Sequence, residues 1–193
     1  MTQKKNLEEA DLFVKVFESL KSESDRGCVL VVASLIENIL EEQIVARLSP
    51  KIGKSDELLS KASNSAISSF SSKINLAYRL GLIPLSERAI YHQLRELRNV
   101  CAHHVEQQNF EQNHFKDRTK NIISESSIIW EIFKEKVVVT ANKEIKSVED
   151  YVNSIGWRTA FQLFFSLIIA FKKPATTRIT RIAPLYDPAL DPS

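Results

Sequence analysis

Residues 86–103 read SERAIYHQLRELRNVCAH, and this stretch decides the fold class. Ser86 and Glu87 have the residue types preferred at the N-cap and in the first turn of a helix, so a helix is predicted from here to about His103. Apolar residues then recur at i, i+4, i+7 and i+11, which is the spacing of one buried helical stripe. These residues are Ile90, Leu94, Leu97 and Cys101.

The polar residues of this helix fall on two different sides. At 100° per residue, His92, Arg95, Asn99 and His103 lie opposite the apolar stripe. Arg98 lies at the border of the stripe and about 140° from His103. On a straight helix, Arg98 and His103 therefore do not reach one small group. They would do so only if the helix distorts or a second subunit contributes.

The same periodicity predicts helices along most of the chain. The predicted segments are 7–22, 28–48, 67–81, 86–103, a helix starting at Asp117 and running to about 133, and 148–172. Residues 54–66 and 105–116 are expected to be loops. Val137–Thr140 is the best strand signal and would form a small hairpin over 137–146. Because so few strands are indicated, an α/β fold is excluded and an all-α bundle of five or six helices is predicted.

Length and composition are those of one globular domain. The chain has 193 residues, 44% of them hydrophobic and 26% charged, and we expect a helical domain over 1–173 followed by a proline-containing tail over 174–193. Only 4 glycines are present, which argues against glycine-rich phosphate loops. The net charge of +2 gives no general electrostatic signature of nucleic-acid binding, although it allows a local basic patch.

The cysteines and the hydrophobic segments favour a cytoplasmic protein without a membrane span. Cys28 and Cys101 have no C-x-x-C spacing and are expected to be reduced core thiols. The first residues lack the apolar stretch of a signal peptide. The most hydrophobic run, 159–171, is shorter than the roughly 20 residues that cross a bilayer and is expected to be a buried helix.

Arg98, Asn99 and His103, with His104 beside them, are the strongest candidates for chemistry. A guanidinium binds phosphate or carboxylate, and an imidazole transfers protons near neutral pH. The alternative is structural: Arg98 pairs with an acid of a neighbouring helix, and His103 stabilises the helix C-terminus. Glu37, an acid between apolar residues, is the predicted partner in a network of Glu37, Arg98 and His103; a solvated carboxylate is the other interpretation. No metal-ligand spacing is present, and neither a metal nor a cofactor is expected.

Two further stretches point to a family. Residues 70–83 read FSSKINLAYRLGLI and residues 97–103 read LRNVCAH. Together they resemble the mannitol-operon repressor family over residues 26–115, and more loosely over Arg158–Lys173. That family is similar to the HEPN-type helical domains, whose R-x-x-x-x-H motif corresponds to Arg98 and His103, with a polar residue at Asn99.

The resemblance implies an all-α, often dimeric regulator that acts through protein partners and lacks a helix-turn-helix. The nuclease members of the HEPN group imply an alternative, a metal-independent ribonuclease that takes RNA as its substrate. There, Arg98 would stabilise phosphate charge, His103 would act as acid or base, and Asn99 would orient it. A homodimer is predicted from the segment 148–172, which is apolar around most of its circumference.

Overall fold

The described residues form an all-α domain. The computed structural model describes residues 2–51, 54, 56, 58, 59, 65–103, 108–132 and 147–183, with only the backbone of 2–6. No strand occurs within these ranges, which confirms the predicted all-α class. The predicted hairpin over 137–146 lies outside the described residues.

The helices follow the predicted order with several shifted boundaries. They are α1 (Thr2–Lys21), α2 (Asp25–Arg47), α3 (Phe70–Arg79), α4 (Leu85–His103), α5 (Asn113–Glu125), α6 (127–132), α7 (Val148–Ile155) and α8 (Trp157–Ala175), with a 3-10 turn at Thr176–Arg178.

Serine side chains begin three of the helices. Ser24 accepts a hydrogen bond from the backbone N–H of Gly27 at the start of α2, and Ser147 accepts one from Asp150 at the start of α7. Ser69 and Ser72 form a reciprocal capping box at the start of α3. This box explains why α3 begins at Phe70 and not at 67, as the periodicity alone predicts.

α8 is the centre of the domain. It packs against α1, α2, α5 and α7, and its large side chains are buried in one continuous core. The fully covered aromatic residues are Phe161, Phe164 and Phe165. The apolar circumference of this helix is therefore covered largely by helices of the same chain, so it does not by itself require a second subunit.

The predicted single helix over 148–172 is wrong, because Gly156 divides it. Gly156 has φ +86°, a conformation that residues with a Cβ rarely adopt, and α7 and α8 meet there at a bend of 109°. In the described part of the chain, no single helix is long and apolar enough to cross a membrane; only this bent pair has the necessary length and composition.

Other boundaries also differ from the predictions. α4 starts at Leu85, because the carbonyl of Pro84 already accepts the N–H of Arg88 at 3.1 Å, so Ser86 is not the N-cap. α5 starts at Asn113, inside the predicted loop over 105–116. Ser126 then interrupts the helix predicted from Asp117 to 133.

The start of the predicted irregular tail is ordered. α8 continues through Pro174 to Ala175 before the 3-10 turn. Beyond that turn, the N–H of Ile182 donates to the carbonyl of Arg47, and Arg47 Nη1 donates to the carbonyl of Thr180, both at 2.7 Å. This segment therefore satisfies a carbonyl at the C-terminus of α2. Residues 184–193 lie outside the described residues.

Candidate functional site

The motif residues lie in the last two turns of α4. Arg98 Nη1 donates to Asn99 Oδ1 at 3.5 Å, and both side chains are half-buried. His103 is exposed and makes no hydrogen bond or ion pair to any other described residue; His104 lies outside the described part. No contact joins Arg98 to His103 in the described chain, as the predicted angular separation requires.

The partner predicted for Glu37 is wrong. Glu37 Oε1 accepts from Lys73 Nζ at 2.9 Å, and Glu41 Oε2 accepts from the same ammonium at 2.7 Å. Within the described residues, Glu37 contacts neither Arg98 nor His103. The two acids are one turn apart on α2, and they hold a lysine that α3 carries on its buried side.

Lys73 is the buried charge of this region, with 7% of its surface exposed. Burial by itself lowers the pKa of a lysine, but the hydrogen bonds to Glu41 and Glu37 and the charges of these carboxylates raise the pKa of Lys73 above its ordinary value. Lys73 therefore stays charged near neutral pH. Lys73 lies between Phe70 and Ile74 on the core side of α3. A lysine at such a position in the sequence indicates that an acidic residue faces it, because a buried ammonium needs a counter-charge.

A second group of polar side chains lies where α3 and α4 face each other. On each helix the spacing is i, i+4, i+7, and the two sets run antiparallel, so that they meet in pairs. We call this group the α3–α4 polar face. Its members are Ser71, Asn75 and Tyr78 of α3 and Arg88, His92 and Arg95 of α4.

Asn75 is the centre of this face. Its Oδ1 accepts from Arg88 Nε at 3.1 Å and from Arg88 Nη2 at 2.9 Å. His92 Nε2 lies 3.2 Å from the same oxygen, and because an amide oxygen only accepts, this nitrogen carries the proton. Three N–H donors thus converge on one uncharged acceptor.

The two ends of the face are held separately. At one end, Arg95 Nη1 donates to Ser71 Oγ at 2.7 Å, and Arg95 also ion-pairs with Glu96. At the other end, the guanidinium of Arg88 lies over the ring of Tyr78, 5.7 Å from its centroid.

The electrostatics of the face are those of a cationic site. Burial lowers the pKa of His92, the charges of Arg88 and Arg95 lower it further, and Glu96 opposes them. His92 is therefore held in its neutral form near neutral pH. The helical wheel placed His92 and Arg95 on the polar side of α4, but the partners on α3 could not be predicted from periodicity.

The side of α4 between the polar face and the apolar stripe contacts α8. Glu87 Oε2 accepts from Lys172 Nζ at 2.7 Å and from the hydroxyl of Tyr91 at 3.2 Å, which joins α4 to α8. Burial, followed by the charge of Glu87 and this hydrogen bond, raises the pKa of Tyr91 well above its usual value. These contacts are structural.

Among the described residues, no group of three or more His, Cys, Asp or Glu side chains is placed to hold a metal ion. No family model, no curated protein and no solved structure matches this chain. Its function is therefore inferred from the residues and their geometry.

Proposed function

We propose that this chain is a cytoplasmic transcriptional regulator similar to the mannitol-operon repressors. In this proposal it forms a homodimer and acts through a protein partner, without a helix-turn-helix of its own. The resemblance supports the proposal, because its two sequence stretches form α3 and the end of α4, and these two helices pack against each other. The reduced, buried thiols of Cys28 and Cys101 fit a reducing compartment.

The outer face of α1 is the observation that carries the proposal. Leu7 and Val14 lie two turns apart on one side of this helix and are 65% and 55% exposed, with exposed Ala10 between them. Phe13 and Phe17 stack on each other beside this stripe, with a centroid distance of 6.0 Å, and remain half-buried. An aliphatic stripe on a helix whose other side is already packed is typical of a protein contact.

The test measures the assembly state after this stripe is made acidic. We expect the wild type to be dimeric by light scattering at micromolar concentration, and the Leu7→Glu/Val14→Glu variant to be monomeric with unchanged helical content. Ile128→Glu is the matched control, because Ile128 is an equally solvated aliphatic residue, 75% exposed, on α6. A wild-type protein that is monomeric throughout this range would refute the dimer.

The partner is tested by affinity capture from the native cell with RNA retained. We expect the wild type to retain a DNA-binding protein that the Leu7→Glu/Val14→Glu variant loses and the Ile128→Glu variant keeps. Equal recovery with all three proteins would show that partner binding does not require the dimer that the α1 stripe forms.

The second candidate function is the metal-independent ribonuclease. It is favoured by the accessibility of the motif: His103 is exposed, and Arg98 and Asn99 are half-exposed, so a substrate could reach all three if a second subunit completes the site. Arg98 would then stabilise phosphate charge and His103 would transfer a proton, which is a contribution of about 10²–10⁴-fold in rate.

An RNA cleavage assay distinguishes the two proposed functions. The purified protein is incubated with mixed single-stranded RNAs in excess chelator between pH 5 and 9, beside Arg98→Ala, His103→Ala and the control His114→Ala, an exposed histidine of α5. For a regulator we expect no cleavage and only a small change in stability in the two motif variants, because His103 is exposed and Arg98 forms one long hydrogen bond, to Asn99, within the described residues. Metal-independent cleavage that both motif variants lose and His114→Ala retains would establish the ribonuclease.

A further inference from the structure

We propose that the α3–α4 polar face binds the backbone of a single-stranded nucleic acid, with Arg88 and Arg95 contacting phosphates and Tyr78 stacking on a base. This inference goes beyond the proposed regulation through a protein partner and does not depend on the dimer. It rests on charge, on spacing and on one exposed aromatic ring.

The charge of the face is not balanced from within. Arg88 donates its two side-chain hydrogen bonds to the neutral oxygen of Asn75. No described carboxylate forms a hydrogen bond or ion pair with Arg88 or His92. Glu96 ion-pairs with Arg95 and its charge also acts on His92, so Arg88 is the guanidinium of this face that has no described carboxylate as an ion-pair partner. Cationic groups that are gathered around a neutral acceptor are stabilised by an external anion, and a guanidinium binds phosphate through its fork of donors.

The guanidinium of Arg88 is held in place and still has N–H groups free to bind a ligand. Its two hydrogen bonds to Asn75 use two of the five N–H groups of a guanidinium, so the others remain for a ligand. Because Asn75 fixes the plane of this group, little side-chain entropy is lost when an anion binds.

The spacing favours a chain of phosphates over a single small anion. Arg88 and Arg95 are two turns apart on α4, which is about 10 Å along the helix axis. Asn99 and His103 continue the same side of α4, so that the polar stripe is about 22 Å long. A site for one small anion would need only one end of this stripe.

The aromatic ring distinguishes single strands from duplexes. Tyr78 is 37% exposed, and Arg88 covers one face of its ring. An exposed ring beside an arginine is a stacking platform for an unpaired base, whereas the bases of a duplex are already stacked on each other. Neither a lipid headgroup nor an inorganic phosphate carries a base that would stack on this ring.

The first experiment measures binding of fluorescein-labelled U12 and dT12 by fluorescence anisotropy at about 50 mM salt, where phosphate contacts are strong. We expect the wild type to bind both, and Arg88→Gln/Arg95→Gln to bind at least tenfold more weakly. Because each phosphate contact contributes about −0.7 to the slope of log K against log salt, the slope should become shallower by about 1.4 in this variant. The control Arg178→Ala, which removes a charge beside Glu9 of α1, should leave binding unchanged.

A second set of variants tests stacking. We expect Tyr78→Ala to weaken binding by about fivefold or more, and Tyr78→Phe to keep it, because the ring and not the hydroxyl stacks. Equal affinity for U12 and for a 12-base-pair DNA duplex would overturn the assignment to single strands. Binding to anionic phosphatidylserine vesicles without binding to either oligonucleotide would assign the face to a membrane surface and overturn the proposal.

Nuclear magnetic resonance of the wild type keeps the test independent of whether the variants fold. Addition of dT12, which has no 2′-hydroxyl to cleave, should shift the imidazole resonances of His92 and raise its pKa, because a bound phosphate offsets Arg88 and Arg95. The control resonances are those of His114 on α5, which should not move. The same shift is expected in Leu7→Glu/Val14→Glu, so loss of the dimer and loss of this site are distinguishable. An unshifted His92 at saturating dT12 would refute the proposal.

Discussion

Arg158 of α8 donates through Nη1 to Oδ1 of Asp25 at a distance of 2.7 Å, joining residues that are 133 positions apart. The other oxygen of Asp25 accepts the backbone N–H of Phe110 at 3.0 Å, and Arg158 Nη2 donates to the carbonyl of Glu23. One ion pair thus connects the turn between α1 and α2, the segment before α5 and the start of α8.

Loss of Arg158 should destabilise the whole domain. In Arg158→Met, Asp25 loses its counter-charge and the carbonyl of Glu23 loses its donor, and we expect a cost of about 1–3 kcal/mol because the pair is mostly shielded from water. The measurement is urea unfolding followed by circular dichroism. Arg178→Ala, whose ion pair with Glu9 spans 3.9 Å at the surface, should cost about 0.5 kcal/mol or less. Equal effects of the two variants would contradict the role of Arg158.

The triad around Lys73 should be strongly non-additive. Glu37→Ala leaves Glu41 on the ammonium and should cost about 1 kcal/mol, whereas Glu37→Ala/Glu41→Ala leaves a buried charge unpaired and should cost about 3–5 kcal/mol. Urea unfolding of both single variants and the double variant measures the coupling. The control is Glu42→Ala on the same helix, which faces the exposed Lys173 and should have a small effect. Strictly additive single effects would show that the carboxylates act independently.

The same triad predicts how stability depends on pH. Because the folded-state pKa of Lys73 lies above the ordinary lysine value of 10.5, the stability that its charged form contributes is complete below pH 10.5 and is lost as the pH rises through the folded value. The free-energy difference between wild type and Lys73→Met should therefore be constant from pH 7 to about 10 and shrink above that. A difference that grows above pH 10.5 would have the wrong sign.

Replacement of Gly156 should cost stability through the backbone alone. A Cβ added there would meet no atom within 4 Å, but φ +86° with ψ 147° is a conformation that is essentially restricted to glycine. We expect Gly156→Ala to cost about 1–3 kcal/mol, and Gly156→Asn to cost as much, because asparagine tolerates the left-handed helical region and not this one. Rescue by asparagine would indicate that the junction relaxes to another conformation.

Neither cysteine should react in the native protein. Burial raises the pKa of Cys28 to about 12 and that of Cys101 to about 11, so almost no thiolate is present at pH 8. We expect no iodoacetamide labelling by mass spectrometry until urea unfolds the chain, after which both thiols should react. If Cys101 in the folded protein were labelled as fast as an exposed free thiol, the end of α4 would have to open.

Much of the fold could be predicted because its cause is local. The apolar stripe Ile90, Leu94, Leu97 and Cys101 is buried, as its spacing predicts. Gly81 has φ +69° at the end of α3, and the N–H of Leu82 reaches back to the carbonyl of Ala77 at 2.9 Å, as expected of a glycine placed just beyond a helix. The break at Gly156 escaped prediction because the apolar pattern continues through it.

In the candidate sites too, the features with a local cause could be predicted and the contacts between helices could not. Sequence by itself determined which side chains of α4 share a side: Arg98 stands apart from His103, while His92, Arg95, Asn99 and His103 align, since both facts follow from 100° per residue. Only the tertiary structure decided which groups meet them. The docking of α3 brings Asn75 onto Arg88 and His92, and it carries Lys73 to Glu37. Such pairings depend on how two helices cross, and that is set by the packing of the whole core and not by the period of either helix.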